Sequence, residues 1–318
     1  MKINKNINHI IYFVTAFVVF SIFSLRDNYF ISDALNYVEH AKLEFDLSNP
    51  NIYSYIAYWA LIGWLTIWFN PESIPGVLSL LISGLIIYSS LKLKNNDRWI
   101  FLFFCILSPV IFNLTQVALR NGIALGIILV AIAYSRTSLL LIAPMVHPGT
   151  IPIVFILFLL KYSTSYKKSI GAILFLGFSL FFLAQYFESS LDSRGYATEG
   201  GSNLAGATTY ISVIILSCIY FLSLKNNPYR LFMPAMVLIW IFISFRYEFG
   251  GRLFLQSLII CLYLTLNFSD NRKFKLFYIL GFFVFSFYGA IIWHPLSEFY
   301  DGWAGHWLSL IQNNSSSV

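Results

Sequence analysis

The sequence predicts an all-α fold, a polytopic transmembrane helical bundle of about 10–12 spans, some broken or re-entrant. Three observations lead there. Of 318 residues, 58% are hydrophobic and only 11% charged, with a mean hydropathy of +0.73, whereas soluble domains carry about 25% charged residues. The 32 Phe and 20 Tyr present more aromatic surface than one water-soluble core buries. Apolar runs of about 20 residues recur, the length that crosses a hydrocarbon core, and the short alternating segments of a β-barrel are missing. A disordered chain, a coiled coil, a disulfide scaffold and an ordinary soluble enzyme are excluded.

The first element is the apolar stretch Ile10–Leu25, preceded by Met1-Lys2-Ile3-Asn4-Lys5. It lacks a small-x-small cleavage motif and is longer than a signal-peptide core, so it reads as an uncleaved span with its basic end in the cytoplasm. Further apolar segments lie near 55–70, 74–91, 98–114, 117–134, 138–160, 168–187, 208–224, 229–246, 252–268 and 274–294. Two longer polar stretches, Arg26–Ser54 and Glu188–Thr209, are expected as outer loops over about 26–54 and 188–207. No internal repeat or separate soluble part is visible, so residues 1–318 are expected as a single integral membrane domain. Cys105, Cys218 and Cys261 fall inside apolar segments without paired spacing and read as packing residues.

Positive charge sorts the loops. Clusters at Lys92/Lys94/Arg98, Lys161/Lys167/Lys168, Lys225/Arg230 and Arg272/Lys273/Lys275 are expected in the cytoplasm with the N-terminus. The basic residues are too dispersed for a nucleic-acid surface, and no nucleic-acid partner is expected. Simple alternation of spans does not deliver this pattern. Pro144, His147-Pro148-Gly149 and Pro152 break residues 138–160 too often for a straight helix, which suggests a re-entrant hairpin with His147 near its tip. Residues 55–91, interrupted by Asn70-Pro71-Glu72 and Pro75-Gly76, need a similar irregularity in one of their halves. Asp33, Arg120, His147, Arg194, Arg246 and Arg252 then belong to the outer side.

Arg120 is the sharpest signal, at the start of a hydrophobic helix in Gln116-Val117-Ala118-Leu119-Arg120-Asn121-Gly122. Gln116 shares its face one turn earlier. Two readings fit: a guanidinium snorkelling to the interface, or one that holds a phosphate bidentately. Arg246 and Arg252 flank Tyr247-Glu248-Phe249-Gly250-Gly251, where two glycines permit a tight turn near a ligand. An ion pair of Glu248 with Arg252 is the plainer alternative. His147 in its broken segment is either structural or catalytic. Asp33 and Tyr37 share a face of a short amphipathic helix in the first outer loop, with Asp33 either a helix cap or a general base. Tyr53, Tyr55, Tyr58, Trp59, Trp64 and Trp68 form either an aromatic belt or stacking surfaces for sugars. Metal binding is not expected, since no second His or acidic ligand stands at coordinating spacing from His147.

Taken together, Asp33-x-x-x-Tyr37, Arg120-Asn121-Gly122-Ile123-Ala124, Val146-His147 and Gly251-Arg252-Leu253 resemble the EpsG-like branch of the Wzy-type O-antigen and exopolysaccharide polymerases, across most of the chain. That family commonly has Gln after the arginine and a Ser-Ala-like pair after the histidine. Here Asn121 and Pro148-Gly149 stand instead. The resemblance implies a fold like the C-type glycosyltransferases that use lipid-linked sugars, in the bacterial inner membrane, with its active site facing the periplasm. It implies polymerisation of undecaprenyl-diphosphate-linked oligosaccharide repeat units, without metal or other cofactor. Arg120 and Arg252, with Arg246, would clamp the leaving diphosphate, and His147 or Asp33 would orient or deprotonate the acceptor hydroxyl. Gln116, Asn121 and Tyr37 would contact substrate, and the loop carrying Arg194 and Tyr196 would close over the sugars. Expected partners are the lipid-linked glycans, membrane lipid, a chain-length regulator and a flippase. The competing classes are a flippase for the same lipids, a membrane O-acyltransferase and an O-antigen ligase.

Overall fold

The computed structural model describes residues 5–24, 34–43, 55–108, 111, 114, 118–162, 170–177, 179, 207–225, 227–244, 249–269 and 271–293. The protein is all-α, and no strand occurs among the described residues. In chain order the helices are α1 (Lys5–Ser24), α2 (Ala34–Lys42), α3 (Ile56–Thr66), α4 (Ile74–Ser90), α5 (Asn95–Leu107), α6 (Leu119–Ala133) and α7 (Ile142–Val146). They continue as α8 (Ile151–Tyr162), α9 (Ala207–Ser223), α10 (Phe232–Ser244), α11 (Phe249–Phe268) and α12 (Arg272–Trp293). The chain divides into two compact units, one of residues 1–148 and 283–318, the other of residues 149–282.

In the first unit, α6 is the central helix. Leu119, Ile123, Ala124, Leu125, Ile128 and Leu129 are all buried, more than one face of an amphipathic helix supplies. Two glycines let α4 approach it. A Cβ on Gly122 would collide with the Leu114 carbonyl oxygen and stand 2.8 Å from Ile82 Cδ1, and one on Gly126 would meet Leu85 Cβ at 2.8 Å. Since 82 faces 122 and 85 faces 126, α4 and α6 run parallel. Helix α1 runs antiparallel to α4: Tyr12 Oη and Ser90 Oγ are 2.6 Å apart, and Ser24 Oγ donates to Ser79 Oγ at 3.2 Å. Its buried stripe, Tyr12, Ala16, Phe20 and Ser24, repeats every four residues, the spacing of one helix face. The opposite face exposes Ile10, Phe13, Val14, Phe17 and Val18.

Arg98 was expected among solvated loop charges. Instead it is buried and closes the end of α4: Nε donates to the Ser90 carbonyl, and Nη2 to those of Leu91 and Leu93 at 2.9 and 3.2 Å. Its Nη1 lies 3.1 Å from His9 Nδ1, and its guanidinium 5.1 Å from the Tyr12 ring centroid. The last carbonyls of a helix have no partner inside it, and a cation is the side chain that best answers them. One arginine thereby ties α1, α4 and α5 at the end that carries Lys92 and Lys94.

Helix α6 stops at Ser135, whose φ of 55° is left-handed. The Arg136 N–H reaches back to the Ala131 carbonyl at 2.9 Å, the six-to-one bond that closes a helix and reverses the chain. The expected break in 138–160 is present. A 3₁₀ segment (Thr137–Leu141) leads into α7, His147 is extended with φ −147° and ψ 104°, and a further 3₁₀ turn (Pro148–Thr150) precedes α8. Residues 136–147 run back along α6, because His147 arrives beside the same tyrosine as Arg120 at the start of that helix.

In the second unit, α11 is the central helix, with Leu258 to Leu264 buried. Tyr220 of α9 and Tyr278 of α12 meet at 5.6 Å, and Tyr278 Oη donates to Met233 Sδ of α10 at 3.6 Å. Gly250 and Gly251, expected in a tight turn, belong to the first turn of α11. The first amides of a helix are not bonded within it, so glycine costs little there. Among the described residues, one helix, Pro71–Ser90, is long and apolar enough to cross a membrane, beside several shorter apolar ones. Of the two expected outer loops, 26–54 is described only at 34–43, and 188–207 only at residue 207.

The close approach at Gly122 yields a prediction. Gly122→Ala should lower the stability of the detergent-solubilised protein by about 1–3 kcal/mol, since the carbonyl it meets is backbone. Gly84→Ala, with nothing within 4 Å of its Cβ, should be neutral or slightly stabilising in the same thermal unfolding measurement.

Candidate functional site

The first residues of α6, the helix α2 and the start of α3 come together in the first unit. On α2, Tyr37, Val38 and Ala41 are buried while Leu35, Asn36 and Glu39 face outward, the pattern of a surface helix packed on one side. Lys42 reaches Glu72 at 3.5 Å, an exposed pair that contributes little. On α3, Tyr55 precedes the first turn and Tyr58 is fully buried within it.

Arg120 projects between these tyrosines. Its guanidinium carbon lies 4.6 Å from the Tyr55 ring centroid and 5.5 Å from that of Tyr58. Its backbone N–H donates to Tyr37 Oη at 3.4 Å. Each ring face is worth about 0.5–1 kcal/mol to an exposed cation and more to a desolvated one. Among the described residues no carboxylate pairs with Arg120; the ion pair found there joins Lys42 and Glu72. The cation is therefore held and oriented by aromatic rings, with no carboxylate among the described residues to compensate its charge.

Two histidines border the arginine. His40 Nδ1 stands 3.3 Å from Tyr58 Oη, so the phenol donates to the ring when the imidazole carries its proton on Nε2. The same ring lies edge-on to Tyr37 at 6.1 Å and 5.0 Å from Trp59. Burial, then the positive charge of Arg120, hold the His40 pKa below its ordinary value, opposed by Glu39. His147 stacks on the other side, its ring 6.3 Å from Tyr55 with planes 21° apart. Beside Arg120, the Asn121 Oδ1 is buried and accepts no hydrogen bond from the described residues. A buried acceptor left open costs about 1–3 kcal/mol, which a donor on a bound molecule would recover.

Of the residues singled out from sequence, Tyr37, Arg120, Asn121 and His147 thus share one neighbourhood. Arg252 belongs to the second unit, in the first turn of α11. Asp33, Gln116, Arg194, Tyr196 and Arg246 lie outside the described residues. His40, Tyr55, Tyr58 and Trp59 are gathered to Arg120 although nothing singled out His40, and the three aromatics fitted a belt equally well. The available signal was spacing: Tyr37 and His40 are one turn apart on α2, as Tyr55 is from Tyr58 and Trp59 on α3. No group of three His, Cys, Asp or Glu side chains able to hold a metal ion occurs among the described residues.

What this arrangement can do chemically follows from its parts. A fixed guanidinium with an open charge recognises a phosphate or diphosphate, aromatic faces accept sugar rings, and a neutral imidazole accepts a proton. The depressed His40 pKa also fixes a pH dependence. The unfolded chain takes up a proton near pH 6.5 and the folded one only at lower pH, so stability falls as pH drops through that interval and is kept above it. His40→Gln should flatten the wild-type loss of melting temperature between about pH 7 and pH 5; parallel curves would detach His40 from the cluster.

Comparisons of the chain with protein-family models, curated proteins and solved structures find no match.

Proposed function

We propose that the protein is a multi-pass inner-membrane glycosyltransferase that polymerises undecaprenyl-diphosphate-linked repeat units into O-antigen or exopolysaccharide on the periplasmic face. The observation that carries this reading is Arg120, stacked on Tyr55 and Tyr58 without a described carboxylate partner and flanked by His40 and His147. A lipid diphosphate supplies the anion that this cation lacks, and the attached sugars fit the aromatic surroundings.

The bilayer part of the reading is supported by helices apolar on both faces. Helix α1 exposes Ile10, Phe13, Val14, Phe17 and Val18, α9 exposes Ile211, Ile214 and Ile215, and α12 exposes Leu276, Phe277 and Leu280. Helix directions support the sidedness. Since α1 is antiparallel to α4, and α4 parallel to α6, α1 begins and α4 and α6 end at the Lys92–Arg98 end, while Arg120 lies towards the other. With that end in the cytoplasm, as positive charge favours, Arg120 opens to the periplasm. The region between α1 and α4 then stays outside, consistent with α3, whose 11 residues span about 16 Å against a core of about 30 Å. The return of 136–147 along α6 supports the rising limb of a re-entrant hairpin.

In the proposed reaction the hydroxyl oxygen of one lipid-linked unit attacks the anomeric carbon of the growing glycan. The bond from that carbon to the diphosphate breaks, and the hydroxyl proton passes to a base, His147 or Asp33. Arg120 neutralises the charge that develops on the leaving diphosphate, an interaction strongest in the transition state. Asn121 Oδ1 accepts from a substrate hydroxyl, and Tyr37 and Tyr55 line the sugar path. No metal is required, because the glycan is already activated.

In a strain deleted for the chain, polymerase loss leaves single repeat units on the acceptor, flippase loss leaves none, and acyltransferase loss leaves full-length chains. Arg120→Ala, inserted at wild-type level, should give single units only; full-length chains would remove Arg120 from the mechanism. Cysteines placed at 120 and 147 should react with an impermeant reagent from the periplasmic side, and labelling only after lysis would overturn the sidedness.

A further inference from the structure

In the second unit, the turn after α9 and the turn between α11 and α12 lie side by side. Ser269 Oγ donates to the Ser223 carbonyl at 2.9 Å and binds one turn to the other. Between them is a cleft of about 560 Å³, lined by Lys225, Arg272 and Lys273 together with Asn227 and Phe268.

Most polar groups around this cleft are already engaged. Asn227 Oδ1 accepts from the Tyr229 N–H at 2.9 Å, and Asn271 Oδ1 from the N–H groups of Lys273 and Phe274 at 3.2 and 3.3 Å. The first amides of α12 are therefore capped by its own chain. Lys275 Nζ donates to the Leu266 carbonyl at 3.1 Å, and Arg230 Nη1 to that of Lys225 at 2.9 Å. Lys225, Arg272 and Lys273 remain, exposed and without an ion pair to any described carboxylate. By sequence, 224–231 and 269–275 carry five cations, Lys225, Arg230, Arg272, Lys273 and Lys275, against one carboxylate, Asp270, which lies outside the described residues.

We infer that this cleft binds the phosphate-bearing headgroup of an anionic phospholipid. Three cations on two turns tied together suit one phosphate, with Asn227 at the edge of the cleft. The adjoining surface selects a lipid over free phosphate. Leu276, Phe277 and Leu280 are exposed within two turns of Lys273 on α12, and Leu222 is exposed one turn before Lys225. A headgroup in the cleft places its acyl chains along these side chains, so one ligand satisfies the charge and covers the apolar surface. The inference rests on the membrane reading above, and it assigns the cleft to the cytoplasmic leaflet. It does not depend on polymerase activity.

The test uses the full chain purified in neutral detergent. Phosphatidylglycerol, phosphatidylcholine and inorganic phosphate are added separately, and thermal unfolding and native mass spectrometry report binding. Phosphatidylglycerol should stabilise and remain bound, phosphatidylcholine should not, and the gain should shrink as salt rises from about 0.1 to 1 M. The triple variant Lys225→Ala/Arg272→Ala/Lys273→Ala should bind phosphatidylglycerol at least about tenfold more weakly. Should that variant fail to fold, Lys273→Gln alone must weaken binding severalfold, and Lys225→Arg/Arg272→Lys/Lys273→Arg must preserve it. Equal affinity of wild type and charge-removed variants overturns the proposal, as does inorganic phosphate giving the whole gain. Fractionation separates the two failures. A chain found in the soluble fraction sinks the membrane reading, whereas a membrane-bound chain indifferent to phosphatidylglycerol sinks only the lipid site.

Discussion

A guanidinium at the head of an apolar helix has to be balanced, and the balance available to Arg120 organises the first unit around it. Among the described residues it finds ring faces rather than a carboxylate: Tyr55 at 4.6 Å and Tyr58 at 5.5 Å. Quadrupole attraction holds a cation without cancelling its charge. An aspartate in that place would have satisfied the arginine and closed the site to anions. Aromatic walls leave the field open, and they present flat ring faces beside it.

Holding the arginine there requires the rest of the unit. Gly122 lets the first turn of α6 slide under the Leu114 carbonyl and against Ile82 of α4, which sets the height of Arg120. The Ser135 reversal returns the chain so that His147 reaches Tyr55. At the other end, Arg98 answers the last carbonyls of α4 and fastens α1 through His9 and Tyr12. Two arginines on neighbouring helices thus do opposite things. Arg98 is held by backbone carbonyls and has a structural part, while no backbone carbonyl among the described residues takes up the hydrogen-bonding edge of Arg120.

The helical class and the order of helices were legible because hydropathy alone reports them, and the break around His147 because Pro144, Pro148 and Pro152 cannot sit inside one straight helix. Arg120 and His147 were legible for a related reason, since polar groups beside apolar runs must be accounted for, and Tyr37 through the face it shares with Asp33 on a short amphipathic helix. His40 was not, since a histidine in a polar stretch looks the same whether it faces water or a tyrosine. Tyr55 and Tyr58 looked like interface anchors, which share their composition and spacing. Arg98 read as a loop charge because sequence shows its distance from an apolar run but not the carbonyls it folds back upon. Gly122 owes its necessity to Leu114 and Ile82, a long-range contact that no local pattern reports. For Gly250 and Gly251, local propensity favoured a turn, and the start of α11 absorbed them instead.

The account stands on Arg120 as the receptor of a lipid diphosphate, and affinity measures that directly. Undecaprenyl diphosphate should bind the purified protein at least about tenfold more tightly than it binds Arg120→Gln, with equal melting temperatures for the two unliganded proteins and an intermediate affinity for Arg120→Lys. Equal affinities across the three proteins would contradict it, and Arg120 would then be an arginine held by two tyrosines for the fold alone.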